Sequence, residues 1–377
     1  MHHVERVAHK RTCKDCGAAW KQLRLDGRFE RTFLALPVGK RRQEVVLHGH
    51  LQCCSACGKR AREPIPFAEG SNRYLRAVGR YAVMLCGITQ IKHVARLLGV
   101  GWDLVKDAFK AHLKRRHKRR RLKTIRYIAV DEFATHKGHK YMTVVLDLES
   151  GEILHAQEGK DAAALAGFLR ELKRGKAPLK AVAVDMSESY ASAVREVFGD
   201  TVDLVHDPFH VTALASKAID ETRRDLFRTL QGEEKQAIKG SRFLLLRGLE
   251  NLKPSGMTRL MTLMAANEPL YQAYLLKEDL RMFWNLPDAK AGEAFLDQWI
   301  EEARSLDNRH FKKLATTLDT HRPGLLAYFK HRISTGPLEG LNNKIKVLKR
   351  QAYGFRDMEF FKLRLYFLHE TPLMMSG

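Results

Sequence analysis

The chain has 377 residues, of which 66 are Lys or Arg and 43 are Asp or Glu, so its formal net charge is +23. Residues 1–126 hold 30 basic and 9 acidic side chains, whereas residues 127–330 hold 28 and 30, so nearly all of the excess lies in the first third. With 45% hydrophobic residues, this pattern excludes a uniformly charged disordered chain and indicates folded domains with a basic end that binds a polyanion, by default nucleic acid.

Two further features bear on the compartment. The apolar runs, such as residues 81–88, are too short to span a bilayer, and the start of the chain has no apolar signal region. Five of the six cysteines fall within residues 13–57, which argues against a disulfide scaffold and for a metal in a reducing compartment. We therefore expect a cytoplasmic protein with no membrane partner.

The first predicted element is a zinc-binding module in residues 1–66. Two C-x-x-C knuckles, each followed by Gly, flank strand-like runs at 31–36 and 43–51. Such turns let two thiolates converge on one ion, and two knuckles complete a tetrahedral site for one structural Zn²⁺. The predicted ligands are Cys13, Cys16, Cys54 and Cys57. Three other side chains remain possible ligands at this stage, namely Cys53, His48 and His50.

Residues 72–124 form the second predicted element, a helix-turn-helix with a basic extension. Apolar residues recur at helical spacing over 91–98, Gly99 interrupts the pattern, and the period resumes over 103–113. The run 114–123 has eight basic residues in ten and no acid, which suits contacts with DNA phosphates. The predicted contacts are Lys114, Arg115, Arg116, Lys118, Arg119, Arg120 and Arg121.

Residues 125–210 predict the first part of a ribonuclease-H-like α/β core. Three β-rich runs are followed by helix, strand, helix and strand, with Asp131 in the first run and Asp185 at the end of the fourth. In that plan the first and fourth strands are neighbours, so the two aspartates would lie side by side. The predicted strands cover 127–133, 140–148, 152–157, 180–187 and 202–210, and the helices 161–173 and 189–198.

An all-helical insertion is predicted for residues 211–330, because their apolar spacing is helical and prolines mark the breaks. These prolines are Pro254, Pro269 and Pro287. Trp284 and Trp299 are interpreted as core residues, with stacking on an extruded base as the alternative.

The last stretch, 331–377, contains a helix that completes the predicted core. Its apolar face consists of Leu338, Leu341, Ile345 and Leu348. The opposite side begins at Glu339 and continues with amides and cations, an arrangement that suits an acid holding a metal beside groups that hold phosphates. Three residues of this stripe are predicted DNA contacts: Asn343, Lys346 and Arg350.

Asp131, Asp185 and Glu339 together offer the hard oxygen ligands that Mg²⁺ or Mn²⁺ prefers. Two such ions can activate a water or a 3′-hydroxyl for in-line phosphodiester displacement. Glu132, Asp147 and Asp207 are the nearest competing acids. The cluster of His206, Asp207 and His210 allows either a second zinc site or a hydrogen-bonding group beside the metal.

The segments 130–154, 184–224 and 334–368 closely resemble bacterial insertion-sequence transposases of the ISL3 type, and the likeness extends over the whole chain. The resemblance implies a DDE triad of Asp131, Asp185 and Glu339. It also implies that Asp207 and His210 form the accessory D-x-x-H pair of similar transposases.

The function predicted from these features is that of a multidomain α+β transposase acting on the bacterial nucleoid. It would bind the terminal inverted repeats of its element as at least a dimer, cut there with two Mg²⁺ (or Mn²⁺), and transfer the freed 3′-hydroxyl to target double-stranded DNA. Two other functions remain open: a zinc-containing transcriptional regulator and a structure-specific nuclease with the same core.

Overall fold

A computed structural model describes residues 2–5, 12–117, 122–136 and 140–368. The chain divides into two compact units. Among the described residues, the first unit contains the segments up to 117 together with 351–363, and the second contains 122–350 and 364–368. Helices and strands occur in both units, so the chain is a mixed α and β protein as predicted.

The N-terminal part of the first unit is a four-stranded sheet. Its strands are β1 (His2–Glu5), β2 (Leu23–Leu34), β3 (Glu44–Cys54) and β4 (Arg60–Arg62). Strand β3 lies in the centre, antiparallel to β2 and β4 and parallel to β1. The buried cluster beneath the sheet is small and consists of Phe33, Leu47 and Ala68. A core of this size stabilises a module weakly, which is where a structural metal contributes most.

Three helices follow: α1 (Arg76–Ile88), α2 (Ile91–Leu98) and α3 (Trp102–His117). Helix α2 ends where the sequence predicts, because Gly99 adopts a left-handed φ of 63° that ends the helix without strain. The next N–H, of Val100, donates to the carbonyl of Ala95 at 3.0 Å and closes the turn. The helices pack through buried residues that include Val94, Ala95 and Val105.

A five-stranded sheet forms the centre of the second unit. Its strands are β5 (Tyr127–His136), β6 (Lys140–Asp147), β7 (Ile153–Glu158), β8 (Ala181–Val184) and β9 (Asp203–His206), and their order in the sheet is β7-β6-β5-β8-β9. Strand β6 is antiparallel to both β5 and β7, whereas β8 is parallel to both β5 and β9. Every residue of β8 is fully buried, as expected of a central strand in the parallel part of a sheet. The intervening helices are α4 (Ala162–Arg174) and α5 (Glu188–Phe198).

After β9 the described chain is helical up to residue 331. The helices are α6 (Pro208–Thr229), α7 (Gly232–Ile238), α8 (Arg242–Leu246), α9 (Pro254–Ala266), α10 (Glu268–Met282), α11 (Ala289–Ser305), α12 (Arg309–Thr320) and α13 (Arg322–His331). Pro254 and Pro269 lie in the first turns of α9 and α10, where a missing N–H leaves no intrahelical bond unmade. Trp299 is buried in the core of this region, and its indole N–H donates to the carbonyl of Leu276 at 2.9 Å. It is therefore a core residue, as the sequence suggested.

Helix α14 (Gly336–Gln351) presents the predicted apolar face to the interior. Its four buried residues are Leu338, Leu341, Ile345 and Leu348. Glu339, Asn343, Lys346 and Arg350 are exposed on the other side.

The chain then returns to the first unit, where α15 (Met358–Leu365) begins. Phe360 packs edge to face against Phe109 of α3, with ring centroids 6.0 Å apart. Asp357 accepts hydrogen bonds from Lys110 at 2.9 and 3.1 Å, and Lys106 lies 3.1 Å from the same carboxylate. Helix α3 is thus held on one side by the segment that follows α14 in the chain.

None of the described helices is long and apolar enough to cross a membrane.

Candidate active site and metal centre

The four predicted zinc ligands come together at the knuckles of the first unit. The Sγ atoms of Cys13 and Cys57 are 3.8 Å apart and those of Cys16 and Cys54 are 3.7 Å apart. All four lie within 4.8 Å of one another, and they are the one such group of three or more ligand side chains among the described residues. Tetrahedral Zn²⁺ with bonds of about 2.3 Å requires sulfur separations of ~3.8 Å. The cluster therefore has the dimensions of a Cys₄ metal centre.

The backbone explains why these thiols converge. In each knuckle the N–H of the Gly after the second cysteine donates to the carbonyl of the first, Gly17 to Cys13 at 3.0 Å and Gly58 to Cys54 at 2.8 Å. Both glycines have φ near +70°, which is the left-handed region. Hydrogen bonding from the backbone N–H of Cys16, and then of Asp15, lowers the pKa of the Cys13 thiol to about 7. Backbone hydrogen bonds act in the same direction on Cys16 and Cys57, but desolvation and hydrogen bonding among the four sulfurs outweigh them and raise the pKa values of these two thiols. In the absence of a cation the thiolate is therefore favoured at Cys13.

The three other possible ligands, Cys53, His48 and His50, lie outside the cluster of four sulfurs. Cys53 and Cys54 are consecutive in β3, so their side chains point to opposite faces of the sheet. The Cys53 thiol lies 3.8 Å from the carbonyl of Gly58, outside the cluster. His48 lies beside His3 and Glu30, and His50 beside Glu63, so neither is a member.

In the second unit, parallel strands bring Asp131 and Asp185 to the same level. Ala129 of β5 pairs with Ala183 of β8, and each aspartate lies two residues further along its own strand direction. Asp185 begins the turn into α5, where its Oδ1 accepts the Ser187 N–H at 2.9 Å. Burial raises the pKa of Asp131, and the Asp185 carboxylate raises it further. The two predicted catalytic aspartates therefore share one partly buried electrostatic environment.

Glu132 belongs to the same environment. Burial raises its pKa, and the negative charges of Asp185 and Asp131 add to that effect. Its Oε2 accepts a hydrogen bond from the Tyr190 hydroxyl at 3.3 Å, and that hydroxyl is 3.0 Å from Thr143 Oγ1. Tyr190 carried no signal in the sequence, since a buried aromatic residue in an amphipathic helix is typical of any core.

Glu339 lies in the first turn of α14 with its carboxylate exposed and without a hydrogen-bond or ion-pair partner among the described residues. The contact with Asp131 is made one turn later, where Asn342 Nδ2 donates to Asp131 Oδ2 at 3.0 Å. The structure thus brings Asp131 and Asp185 together and fastens the helix that carries Glu339 to Asp131. It does not place the three carboxylates in one cluster of ligand atoms.

Asp207 joins the sheet to the start of α14. Its side chain is 1% exposed, and its Oδ1 accepts the backbone N–H of Thr335, immediately before the helix, at 2.8 Å. Its own N–H donates to the carbonyl of Val184, which precedes Asp185. Its Oδ2 is buried and has no hydrogen-bond partner in the described part of the chain. His210 lies in the first turn of α6, and its electrostatic interaction with Asp131 partly offsets the rise in the pKa of that carboxyl that burial causes.

His206 supports the turn that carries Asp185. Its Nδ1 lies 3.3 Å from the Asp185 carbonyl, and its ring packs edge to face against His321. Burial, together with the charge of His321, lowers the pKa of His206 to about 4, so the ring is neutral at pH 7. A Cβ on Gly324 would lie 2.3 Å from the His206 ring, which explains a glycine at that position. His206, Asp207 and His210 form no group of converging ligand atoms in the described chain.

The predicted DNA contacts fall into three groups. Lys114 and Arg115 are exposed but pair with acids, Lys114 with Glu359 at 2.6 Å and Arg115 with Glu69 at 3.6 Å. Arg116, Asn343, Lys346 and Arg350 have exposed side chains. The remaining predicted contacts lie outside the described residues, namely Lys118, Arg119, Arg120 and Arg121.

Comparison with known proteins identifies the class. A family model described as "Transposase" matches residues 128–365, a span that contains both aspartates and Glu339. The protein is thus a DNA transposase, an enzyme that cleaves DNA and joins it to a target. Within that class, the chain belongs to the ISL3 family of DDE transposases. Of the three functions that the sequence allowed, this membership selects the first, and it implies a divalent metal ion and action on DNA.

The chain is 33% identical over 372 residues to the transposase for insertion sequence element IS1001 of Bordetella parapertussis, which covers 96% of this chain and 90% of that relative. It is 31% identical over 261 residues to the transposase for insertion sequence element IS1557 of Mycobacterium tuberculosis, covering 63% of this chain and 58% of the relative. Among solved structures, it is similar to the Drosophila P element transposase strand transfer complex, with a TM-score of 0.43 and 11% identity over 78% of this chain and 91% of that one.

Proposed function

We propose that Asp131, Asp185 and Glu339 are the DDE triad that cuts the DNA at the ends of the element and then joins those ends to target DNA. The observation that carries the proposal is the pairing of β5 with parallel β8, which sets the two aspartates at one level of the sheet. The Asn342 bond supports it, because it holds the helix bearing Glu339 against Asp131. Strand transfer needs no enzyme nucleophile, since the freed 3′-hydroxyl attacks the target directly.

We also propose that the second unit is a ribonuclease-H-like core with a helical insertion between β9 and α14. Support comes from three antiparallel strands followed by two parallel strands connected through α4 and α5. The helices α6 to α13 then separate the second aspartate from the glutamate in sequence. A hydrogen bond from the Thr335 N–H to Asp207 connects the two ends of this helical region, directly after β9 and directly before α14.

The donor set fits a divalent cation such as Mg²⁺ or Mn²⁺, two per site. Asp131, Asp185 and Glu339 would hold these ions, because all three offer the carboxylate oxygens that hard cations prefer. When bound, the ions supply the positive charge that activates the attacking oxygen and stabilises the leaving one. The raised pKa values of Asp131 and Glu132 support the fit, since crowded carboxylates gain most from a cation between them.

The protein's own residues prepare this site. Asn342 and the Glu132 N–H fix the two oxygens of Asp131, and the Ser187 N–H fixes Asp185. The neutral His206 ring contacts the Asp185 carbonyl oxygen through Nδ1 and so supports the backbone at that aspartate. Partial burial of Asp131 limits the access of water and strengthens the electrostatic interactions of the site.

For DNA binding we propose that the Cys₄ centre holds one structural Zn²⁺ and that α2 and α3 form a helix-turn-helix. The excess of 21 positive charges in residues 1–126 supports binding of the terminal inverted repeats through phosphates. Lys346 and Arg350 follow Glu339 along the exposed side of α14 and would hold the phosphates next to the reacting bond. Joining two ends in one event requires at least a dimer on DNA, acting on the nucleoid in the cytoplasm.

The test is Asp185→Asn in the full chain, assayed with an oligonucleotide duplex that carries one element end. We expect cleavage and strand transfer to fall by at least about 1000-fold, since the variant removes a charged metal ligand, while end binding stays within twofold. Asp200→Asn is the matched control, because Asp200 is an exposed acid at the other end of α5.

Two results would contradict the proposal. Cleavage by Asp185→Asn at the wild-type rate would show that the triad is wrong. Cleavage by the wild-type protein without any joining to target DNA would favour the structure-specific nuclease.

A further inference from the structure

Asn342 makes a contact that the DDE triad does not account for. Its Nδ2 donates to Asp131 Oδ2 at 3.0 Å, and the other oxygen of that carboxylate accepts the Glu132 N–H at 2.8 Å. Both oxygens of the first catalytic aspartate are therefore engaged by groups of the chain itself. One of these groups is a side chain on the helix that carries Glu339.

The other end of the same amide has no partner. Asn342 Oδ1 is buried and accepts no hydrogen bond among the described residues. Buried polar atoms are nearly always paired, and an unpaired one is unfavourable. Three other residues act on Asp131: Glu132 and Asp185, whose carboxylates accept hydrogen bonds when ionised, and His210, for which no hydrogen bond to Asn342 is seen. A buried amide oxygen without a donor, on a side chain that contacts the Asp131 carboxylate, is the kind of atom that a cation satisfies.

We propose that Asn342 is a fourth residue of the divalent-metal site. Without metal, its NH₂ group holds α14 to Asp131. With metal, its side-chain oxygen becomes a neutral ligand beside the carboxylates. The inference rests on the proposed triad and adds to it the residue that links metal binding to the position of the helix bearing Glu339.

An amide suits both states, because its NH₂ group donates a hydrogen bond and its oxygen binds a hard cation. Aspartate at this position offers oxygens to a cation, but in the metal-free protein it adds a negative charge next to Asp131, Glu132 and Asp185. Leucine has the same shape and offers neither a donor nor an acceptor. These two replacements therefore separate the two roles of Asn342.

The experiment measures Mn²⁺ binding to the full-length, zinc-loaded protein by isothermal titration calorimetry, without DNA, and thermal unfolding in EDTA. We expect Asn342→Leu to weaken Mn²⁺ binding at the carboxylate site by about 10-fold, a loss typical of removing one group from a metal site. We expect Asn342→Asp to bind Mn²⁺ at least as tightly as wild type, to have a lower Tm in EDTA, and to recover that Tm when Mn²⁺ is added.

Asn251→Leu is the matched control, because Asn251 Nδ2 also donates to a carboxylate, that of Glu250 at 2.7 Å, but on an exposed surface of the helical region. It should leave Mn²⁺ binding unchanged. Asp185→Asn identifies the carboxylate site among any other Mn²⁺ sites, since it should abolish binding there.

The outcomes distinguish this inference from the proposed function. If Asp185→Asn binds Mn²⁺ like wild type, the carboxylate site itself is wrong, and the role of Asn342 is overturned with it. If Asp185→Asn loses binding but Asn342→Leu binds as tightly as wild type, or more tightly, the triad stands and Asn342 only caps Asp131. Should Asn342→Leu fail to fold, the result for Asn342→Asp decides: weaker Mn²⁺ binding than wild type contradicts the proposal.

Discussion

The two candidate metal sites of this protein are built in opposite ways. The cysteine centre takes its ligands in two pairs, each pair three residues apart in a Gly-terminated turn. Its four sulfurs lie within 4.8 Å of one another, and two of the separations are 3.7 and 3.8 Å. The carboxylate site takes its residues from a strand, a strand end and a helix distant in sequence. Its glutamate is exposed and belongs to no cluster of metal-ligand atoms among the described residues. A structural centre is closed by local geometry, whereas a catalytic one is assembled by tertiary contacts and stays open to substrate.

The largest expected effect comes from breaking the closed centre with Cys54→Ser. Structural zinc contributes on the order of 10 kcal/mol to the folding of small modules, so the N-terminal sheet should unfold and binding to the element ends should be lost. Zinc content per chain should fall from one to near zero, measured by atomic emission. Cys53→Ser is the matched control, because the neighbouring thiol lies outside the cluster. Equal zinc loss in both variants would show that the ligand assignment is wrong.

A smaller effect should follow from loosening the assembled site with Asp207→Ala. The variant leaves the buried Thr335 N–H without its acceptor, which costs about 2 kcal/mol in the free energy of unfolding, measured by urea titration. We expect DNA cleavage to fall more steeply than stability, because the start of the helix carrying Glu339 loses its anchor, while end binding persists. Asp307→Ala, an exposed acid in the helical region, should change neither property. If Asp207→Ala cleaves DNA at the wild-type rate, Asp207 does not position that helix for catalysis.

The smallest effect concerns the segment after α14. Burial opposes ionisation of Asp357, but hydrogen bonds from Lys110, the Phe360 N–H and Lys106 outweigh it and hold the pKa of Asp357 well below 3.8. A double-mutant cycle of Lys110→Met and Asp357→Asn should give a coupling of about 1 kcal/mol at pH 7.

Because the pKa of Asp357 is depressed in the folded state, the coupling should be complete above pH 3.8 and disappear as the pH falls further. Urea titrations of the four proteins at pH 7 and at low pH measure both values. A coupling near zero at pH 7 would mean that aromatic packing, such as Phe109 against Phe360, holds the segment alone.

Much of the fold followed from the sequence. The strand and helix order around Asp131 and Asp185 was predicted from β-branched runs and apolar spacing, and the structure has the same order. The buried face of α14 was predicted from the 3.6-residue period, and all four of its residues are buried. The end of α2 followed from Gly99. The triad, the domain boundaries and the DNA contacts stay predictions.

The features that the sequence by itself determined are local. They are the C-x-x-C turns, the spacing of apolar residues along helices and strands, and the prolines in the first turns of helices, and each depends on residues only a few positions apart. Only the tertiary structure decided between Cys53 and Cys54, because strand pairing fixes which face each side chain takes. It alone showed Asn342 on Asp131 and Asp207 on Thr335, contacts that span 211 and 128 residues. The spacing of apolar residues cannot predict such contacts, because a buried amide or carboxylate meets its partner only when the sheet and the helices pack together.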